Sequence, residues 1–308
     1  MKIAYCLVGI VGSSNFGMGL GKDIDYRLAH HWNKKNIFDV NDEVDVFMHC
    51  WSVHHEKGLV DLYKPKDYIF EKQIDFGLST IRDNAIASRW YSTAMCNKLR
   101  KNYEKQNNVK YDAAVFFRYD HVFLVPLDFS KFDMNKIWFR HRRPAGWVDG
   151  VREADNSTLG INTNTKSDVD LSTWEGRKKF NLSPNDRVYD SFIFSNSNNI
   201  DIYASTYEDL DVEHINSPHH EICLKLKRDN VWDKVDWCFF GEIETEAIRA
   251  LYKNPEYVSD TFDINNFEKF EEKYVRQNEK VIGRFKITEE TTENIDINKS
   301  GFNSETIQ

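Results

Sequence analysis

Between Val115 and Val125 the sequence reads VFFRYDHVFLV, an apolar run that holds a cation, a carboxylate and an imidazole at its centre. Residues two apart in an extended chain share a face, so Arg118 and Asp120 are expected on one side together. A carboxylate so placed can hold a divalent cation, and an arginine beside it can grip a diphosphate. The structural alternative is an Arg118–Asp120 ion pair that closes the end of a strand. Two charges set into an otherwise apolar run weigh toward chemistry, because burying them without purpose is costly.

Other residues with chemical potential lie on either side. NDRVYDSFIFSNS offers Asp186 and Asp190 just before an apolar strand, where a carboxylate either opens the strand as a turn residue or acts as a base. NSPHHEICLKL starts a helix with Ser217 as N-cap and Pro218 at the first position. His219, His220 and Glu221 then occupy its first turn, where a histidine either ligates a metal or simply faces water. FMHCWS places His49, Trp51 and Ser52 at the end of a strand. Trp51 there stacks on a base or sugar, or caps the core. His54 and His55, just beyond, read as surface residues.

GIVGSSNFGMGLGKD is glycine-rich and follows the first strand, with Gly9 and Gly12 at its start. Its spacing is not the dinucleotide fingerprint, since Gly17, Gly19 and Gly21 give GxGxG and Lys22 stands where the third glycine belongs. It is not a P-loop either, because Asp23 follows Gly21-Lys22 and Phe16 replaces the first glycine. A loop beside a phosphate and a purely structural turn both fit.

The elements that must position these residues alternate. KIAYCLVGI, EVDVFMHCW, KDYIFEK and YDAAVFFRYD read as strands, the apolar ones continuously so. IDYRLAHHWNKKNIF, with Ile24, Leu28 and Trp32 on one side, and the long TIRDNAIASRWYSTAMCNKLRKNYEKQN read as helices. Such alternation predicts an α/β domain with a mostly parallel sheet, whose carboxyl edge is the expected ligand side. KIWFRHRR and VYDSFIFSN add strands, and IDIYASTYEDL and PHHEICLKLKRDN add helices. The polar stretch Val151–Pro184 between them reads as a loop that closes over a substrate. The domain is expected over residues 1–250. Residues 251–308 read as an extension with one charged helix, NNFEKFEEKYVRQNEKV, and a polar, disordered tail.

Composition narrows the classes. In 308 residues the formal net charge is −8, which argues against a nucleic-acid-binding surface. The five cysteines are scattered without a CxxC, which fits neither a disulfide framework nor a cysteine zinc site. MKIAYCLVGIVGSS reads as a first strand rather than a signal peptide, and no apolar run is long enough for a membrane span. A cytoplasmic location is expected, that of a host cell if the source is viral.

The phrases DVFMHCWS, LYKPKDYIFE, SRWYSTAMCNKL, FRYDHVFLVPLDF and SFIFSNSNNID, in that order, resemble nucleotide-sugar-dependent glycosyltransferases of the GT-A fold. The likeness is to bacterial, phage and large-virus enzymes that decorate surface glycans, and it covers about residues 1 to 245. It implies a GT-A-like (Rossmann-like) domain that moves a sugar from a nucleotide-sugar donor to a glycan or other hydroxyl acceptor. Gly9, Gly12, Trp51, Arg118 and Asp120 would bind the donor, and Asp190 would be the catalytic base. In that fold an Asp-x-Asp motif holds manganese or magnesium, with a late histidine in some members. Here the metal would fall to Asp120 and His219, and Arg118-Tyr119-Asp120 replaces the motif. Arg118 would then neutralise the diphosphate in place of the lost carboxylate. A sugar nucleotidyltransferase and an inactive glycan-binding protein of the same fold are the rival readings.

Overall fold

The computed structural model describes residues 1–11, 26–123, 126–140, 188, 190–212, 215, 217–238 and 245–247. Nine strands lie within them: β1 (Lys2–Gly9), β2 (Glu43–Cys50), β3 (Asp67–Phe70), β4 (Ala113–Arg118), β5 (His121–Phe123), β6 (Ile137–Arg140), β7 (Phe192–Ser195), β8 (Val235–Cys238) and β9 (Thr245–Ala247). The helices are α1 (Tyr26–Asn33), which runs on as a wider π-type turn over Lys34–Phe38, α2 (Glu56–Tyr63), α3 (Ile81–Asn107), α4 (Ser197–Ala204) and α5 (Pro218–Arg228).

Seven strands form one sheet in the order β3-β2-β1-β4-β7-β6-β8. β1 is parallel to both β2 and β4, and β2 is parallel to β3. β7 is antiparallel to both β4 and β6, and β8 is again parallel to β6. Among the described strands of this sheet, β7 alone runs against the rest, so the sheet is mostly parallel. A separate pair, β5 with β9, is antiparallel.

The continuous apolar runs follow from burial on both faces. In β1 alternate residues serve different cores. Ile3, Tyr5 and Leu7 pack with α1 and α2 through Ala29, Trp32, Leu59 and Tyr63. Ala4, Cys6 and Val8 pack with α3, α4 and α5 through Trp90, Cys96, Tyr203 and Ile222. Helices on both faces of the sheet give a three-layer α/β architecture.

Short polar side chains fix where helices start. Thr80 accepts from the Asp83 N–H at the head of α3 (3.0 Å), Asn196 does so for Asn199 at α4, and Ser217 for His220 at α5 (3.2 Å). The Ser217–Pro218 start is as the sequence predicts. α4 begins three residues ahead of its expected first residue, Ile200, because Asn196 supplies the cap. β4 ends at Arg118, so Tyr119 and Asp120 form a turn rather than further strand. The glycine-rich segment beyond Val11, the Val151–Pro184 stretch and everything after 247, including the charged helix and tail, lie outside the described residues. Among the described residues no helix is long and apolar enough to cross a membrane.

Candidate functional site

β1 sits between β2 and β4: its own connection leads to β2 and β3 on one side, while β4 opens the half of the sheet on the other. This is the topological switch point, where an open parallel sheet forms a crevice at its carboxyl edge. Two registers level the residues there: Val8 lies opposite Arg118, and Gly9 opposite Cys50. The reversed strand completes the edge. Phe192 at the start of β7 pairs with Phe117 near the end of β4, so the residues just before it, Asp190 and Ser191, arrive beside Arg118. A parallel strand in that place would have sent Asp190 to the opposite end.

Arg118 and Asp120 do point the same way, and they meet. Arg118 Nε donates to one carboxylate oxygen of Asp120 at 2.8 Å and Nη2 to the other at 2.7 Å, a bidentate pair. The Asp120 side chain is 2% exposed and that of Arg118 23%. His121, buried beside them, brings its Nε2 to 4.0 Å from Asp120. The ion pair that was the structural alternative is therefore formed. Its cation remains half-accessible at the edge.

Asp190 is the second anchor. Arg89, on α3, donates from Nη2 to the Asp190 carbonyl at 2.6 Å and to the Tyr203 hydroxyl at 3.0 Å. Its Nε stands 3.8 Å from the Asp190 carboxylate. On the other side His219, in the first turn of α5, places Nδ1 3.5 Å from Asp190 Oδ1. Burial pushes the Asp190 carboxyl up, but His219, Arg89, Arg118 and His121 together outweigh it and hold the group below the usual carboxylate value. Asp190 is thus an anion at neutral pH, set among four basic side chains and largely shielded from water.

Trp51 and Gly9, assigned to the donor by the resemblance, both have partners within the protein. Trp51 is 6% exposed and stacks on Tyr91 of α3 with ring centroids 5.4 Å apart. Among the described residues it caps the core, with one ring face already taken by Tyr91. Gly9 does adopt a glycine-only backbone, φ +107°, with open space where a Cβ would point. Its peptide groups, however, are spent inside the protein. The N–H goes to Ser92 Oγ and the carbonyl accepts from the Trp51 N–H, each at 3.0 Å. Val11 N–H goes to Ser52 Oγ, also at 3.0 Å. The Gly9 and Val11 amides are therefore already spoken for and are not anion donors. Gly12 lies outside the described residues, as does Asp186.

The two residues to which the resemblance assigns a metal, Asp120 and His219, are both engaged by charged neighbours. Both oxygens of Asp120 face a guanidinium, so a cation there would meet like charge, and His219 Nδ1 faces Asp190. Among the described residues no cluster of three or more His, Cys, Asp or Glu is placed to hold an ion. These residues do not fit the group.

Reasoning from sequence missed Arg89, Tyr203, Ser92 and Glu71. The first three sit on helical faces whose spacing reads as ordinary amphipathicity, and only a tertiary contact distinguishes them. One signal was present: in SRWYS an arginine and two serines flank a pair of aromatics on a largely buried stretch of helix. Comparison of the chain with protein-family models finds no match, and neither does comparison with curated proteins.

Proposed function

We propose that this chain is a GT-A-like, nucleotide-sugar-dependent glycosyltransferase acting on a glycan or other hydroxyl acceptor. One observation carries the reading: the reversed strand β7 delivers Asp190 to the switch-point edge beside Arg118. A cation and a separate carboxylate that share one crevice can serve a diphosphate and an acceptor hydroxyl together.

In this reading the donor diphosphate lies across the carboxyl ends of β1 and β4, with Arg118 supplying positive charge. Asp120 holds the guanidinium in a fixed plane, so little ordering is left for the ligand to drive. Asp190 takes the proton of the acceptor hydroxyl as the sugar is transferred. Its low basicity limits how early that proton can move, yet the carboxylate is fully ionised at neutral pH. Arg89 and His219 orient it.

A second reading is a glycan-binding protein that keeps the fold without catalysis. The bidentate tie of Asp120 to Arg118, where a metal-binding carboxylate would be needed, favours it. A thermal-shift panel of nucleotide-sugars, with donor hydrolysis followed in parallel, separates the two. A donor at a hundred times its dissociation constant adds about 2.7 kcal/mol of stability. Stabilisation with slow donor hydrolysis supports the enzyme, whereas no response to any nucleotide-sugar removes the proposal.

A further inference from the structure

We infer that Glu71, His49 and Ser92 form a hydrogen-bond relay that fixes the Gly9 peptide, and with it the floor of the crevice at the ends of β1 and β2. The inference rests on the nucleotide reading for what the crevice holds, though not for the relay itself.

His49 is fully buried at the end of β2, and its two ring nitrogens have different partners. Nε2 lies 2.9 Å from Glu71 Oε1, and Nδ1 lies 2.8 Å from Ser92 Oγ. A carboxylate only accepts, so the ring proton sits on Nε2 and Nδ1 is an acceptor. Ser92 must then direct its hydroxyl proton at Nδ1, and its oxygen is left to accept the Gly9 N–H at 3.0 Å. Every bond in the chain has one direction, set by the charge at Glu71. Burial lowers the His49 pKa more than Glu71 raises it, which keeps the ring neutral as this directionality requires.

The arrangement has the order of a carboxylate–imidazole–hydroxyl triad, but Ser92 is wholly buried and faces a peptide rather than a substrate. Its role is to hold a backbone. Gly9 needs holding, because a φ of +107° is one of many conformations open to glycine. Without an acceptor at Nδ1 the Ser92 hydroxyl would turn to a carbonyl of its own helix. The half-buried Gly9 amide would then keep only a poorly oriented partner. The relay begins at a partly exposed group: the Glu71 side chain is 33% exposed, and Tyr91, which packs on Trp51, lies against it. Glu71, His49 and Ser92 are positioning residues.

The test uses the full chain and combines ring-nitrogen NMR of His49, amide exchange at Gly9, and titration with the diphosphates of adenosine, guanosine, cytidine, uridine and thymidine. The ring proton is expected on Nε2. Ser92→Ala and the surface variant Glu71→Leu should each speed Gly9 exchange by about tenfold, the effect of losing one oriented hydrogen bond. They should weaken the best-bound diphosphate by a similar factor. Glu71→Gln, whose amide oxygen still accepts, should restore both. A proton on Nδ1, or Gly9 exchange unmoved in Glu71→Leu, overturns the relay. Relay behaviour as expected, with none of the five diphosphates binding the unaltered chain, sinks the nucleotide reading and leaves the relay standing.

Discussion

The sheet carries two arginine–carboxylate networks at opposite ends of β4, and they are built differently. Toward the amino end, Arg100 of α3 is wholly buried. Its Nε and Nη2 reach Asn97 Oδ1 at 3.0 and 2.9 Å, and Nη1 reaches Glu104 Oε2 at 2.8 Å. Nη2 also meets Asp201 of α4, and Ser197 and Tyr111 close the assembly through Glu104. That network ties α3 to α4 and keeps its guanidinium wholly out of water. At the carboxyl end, Arg118 and Asp190 each have protein partners too, but the Arg118 side chain keeps 23% of its surface in water. A buried ion pair therefore does not mark a site by itself. Its place relative to the switch point decides.

The largest effect should come from Asp190→Asn, which removes the proposed base and leaves the shape. Sugar transfer should fall about 10²–10⁴-fold while donor affinity stays near its original value. Transfer at the unaltered rate would end the role of Asp190 and merge the two networks into one structural class. Arg100→Met comes next. It takes the guanidinium from Asp201 and Glu104, which are partly exposed and keep Lys101, Asn97, Ser197 and Tyr111 as partners, so a loss of about 1–3 kcal/mol in denaturant unfolding is expected, with donor affinity of the folded fraction unchanged. A ligand effect without a stability effect would invert the comparison.

Asp120→Asn bears on both functions of the carboxyl-end pair. It should cost about 1–3 kcal/mol of stability, because the buried carboxylate accepts two charge-assisted bonds, and it should weaken the donor by about tenfold as Arg118 loses its plane. Unaltered donor affinity would show that Asp120 only closes the strand.

A smaller effect involves neither network. His30 of α1 has its pKa lowered from 6.5 to about 4, by burial first and then by Lys34 and His31. The unfolded chain takes up this proton before the folded one does. Its contribution is therefore whole above about 6.5 and drains away as the pH falls toward about 4. For this half-buried ring the effect is on the order of 1 kcal/mol after solvent screening. His30→Leu should flatten that part of the pH–stability curve, and an unchanged slope would show that another group titrates there.

Much of this frame is legible in the sequence, for a physical reason. β1 and β4 are buried on both faces and so read as nearly unbroken apolar runs, and β2 does so from Val46 to Met48. α3 is long enough for its period to show, and Ser217–Pro218 announces a helix start. What stays hidden is set by pairing. Nothing in FIFS says that β7 runs backward, yet that reversal alone brings Asp190 to Arg118. β5, β8 and β9 are three or four residues long, too short for any period. α2 begins after a 3-10 turn without a side-chain cap, so it carries no start signal. Trp51 and Gly9 were visible as special residues. Their partners Tyr91 and Ser92 lie about forty residues or more away on another element. Whether such residues face a ligand or the protein itself is decided by tertiary packing.

The central claim is that the carboxyl edge, and not the amino-end network, receives a nucleoside diphosphate. Hydrogen exchange of the full chain with and without saturating nucleoside diphosphate tests it most directly. Slowed exchange confined to residues 8–11, 117–123 and 190–192, with 97–104 and 197–201 unmoved, is the predicted result. Protection centred on Arg100, Glu104 and Asp201, or none at the carboxyl edge, would contradict it.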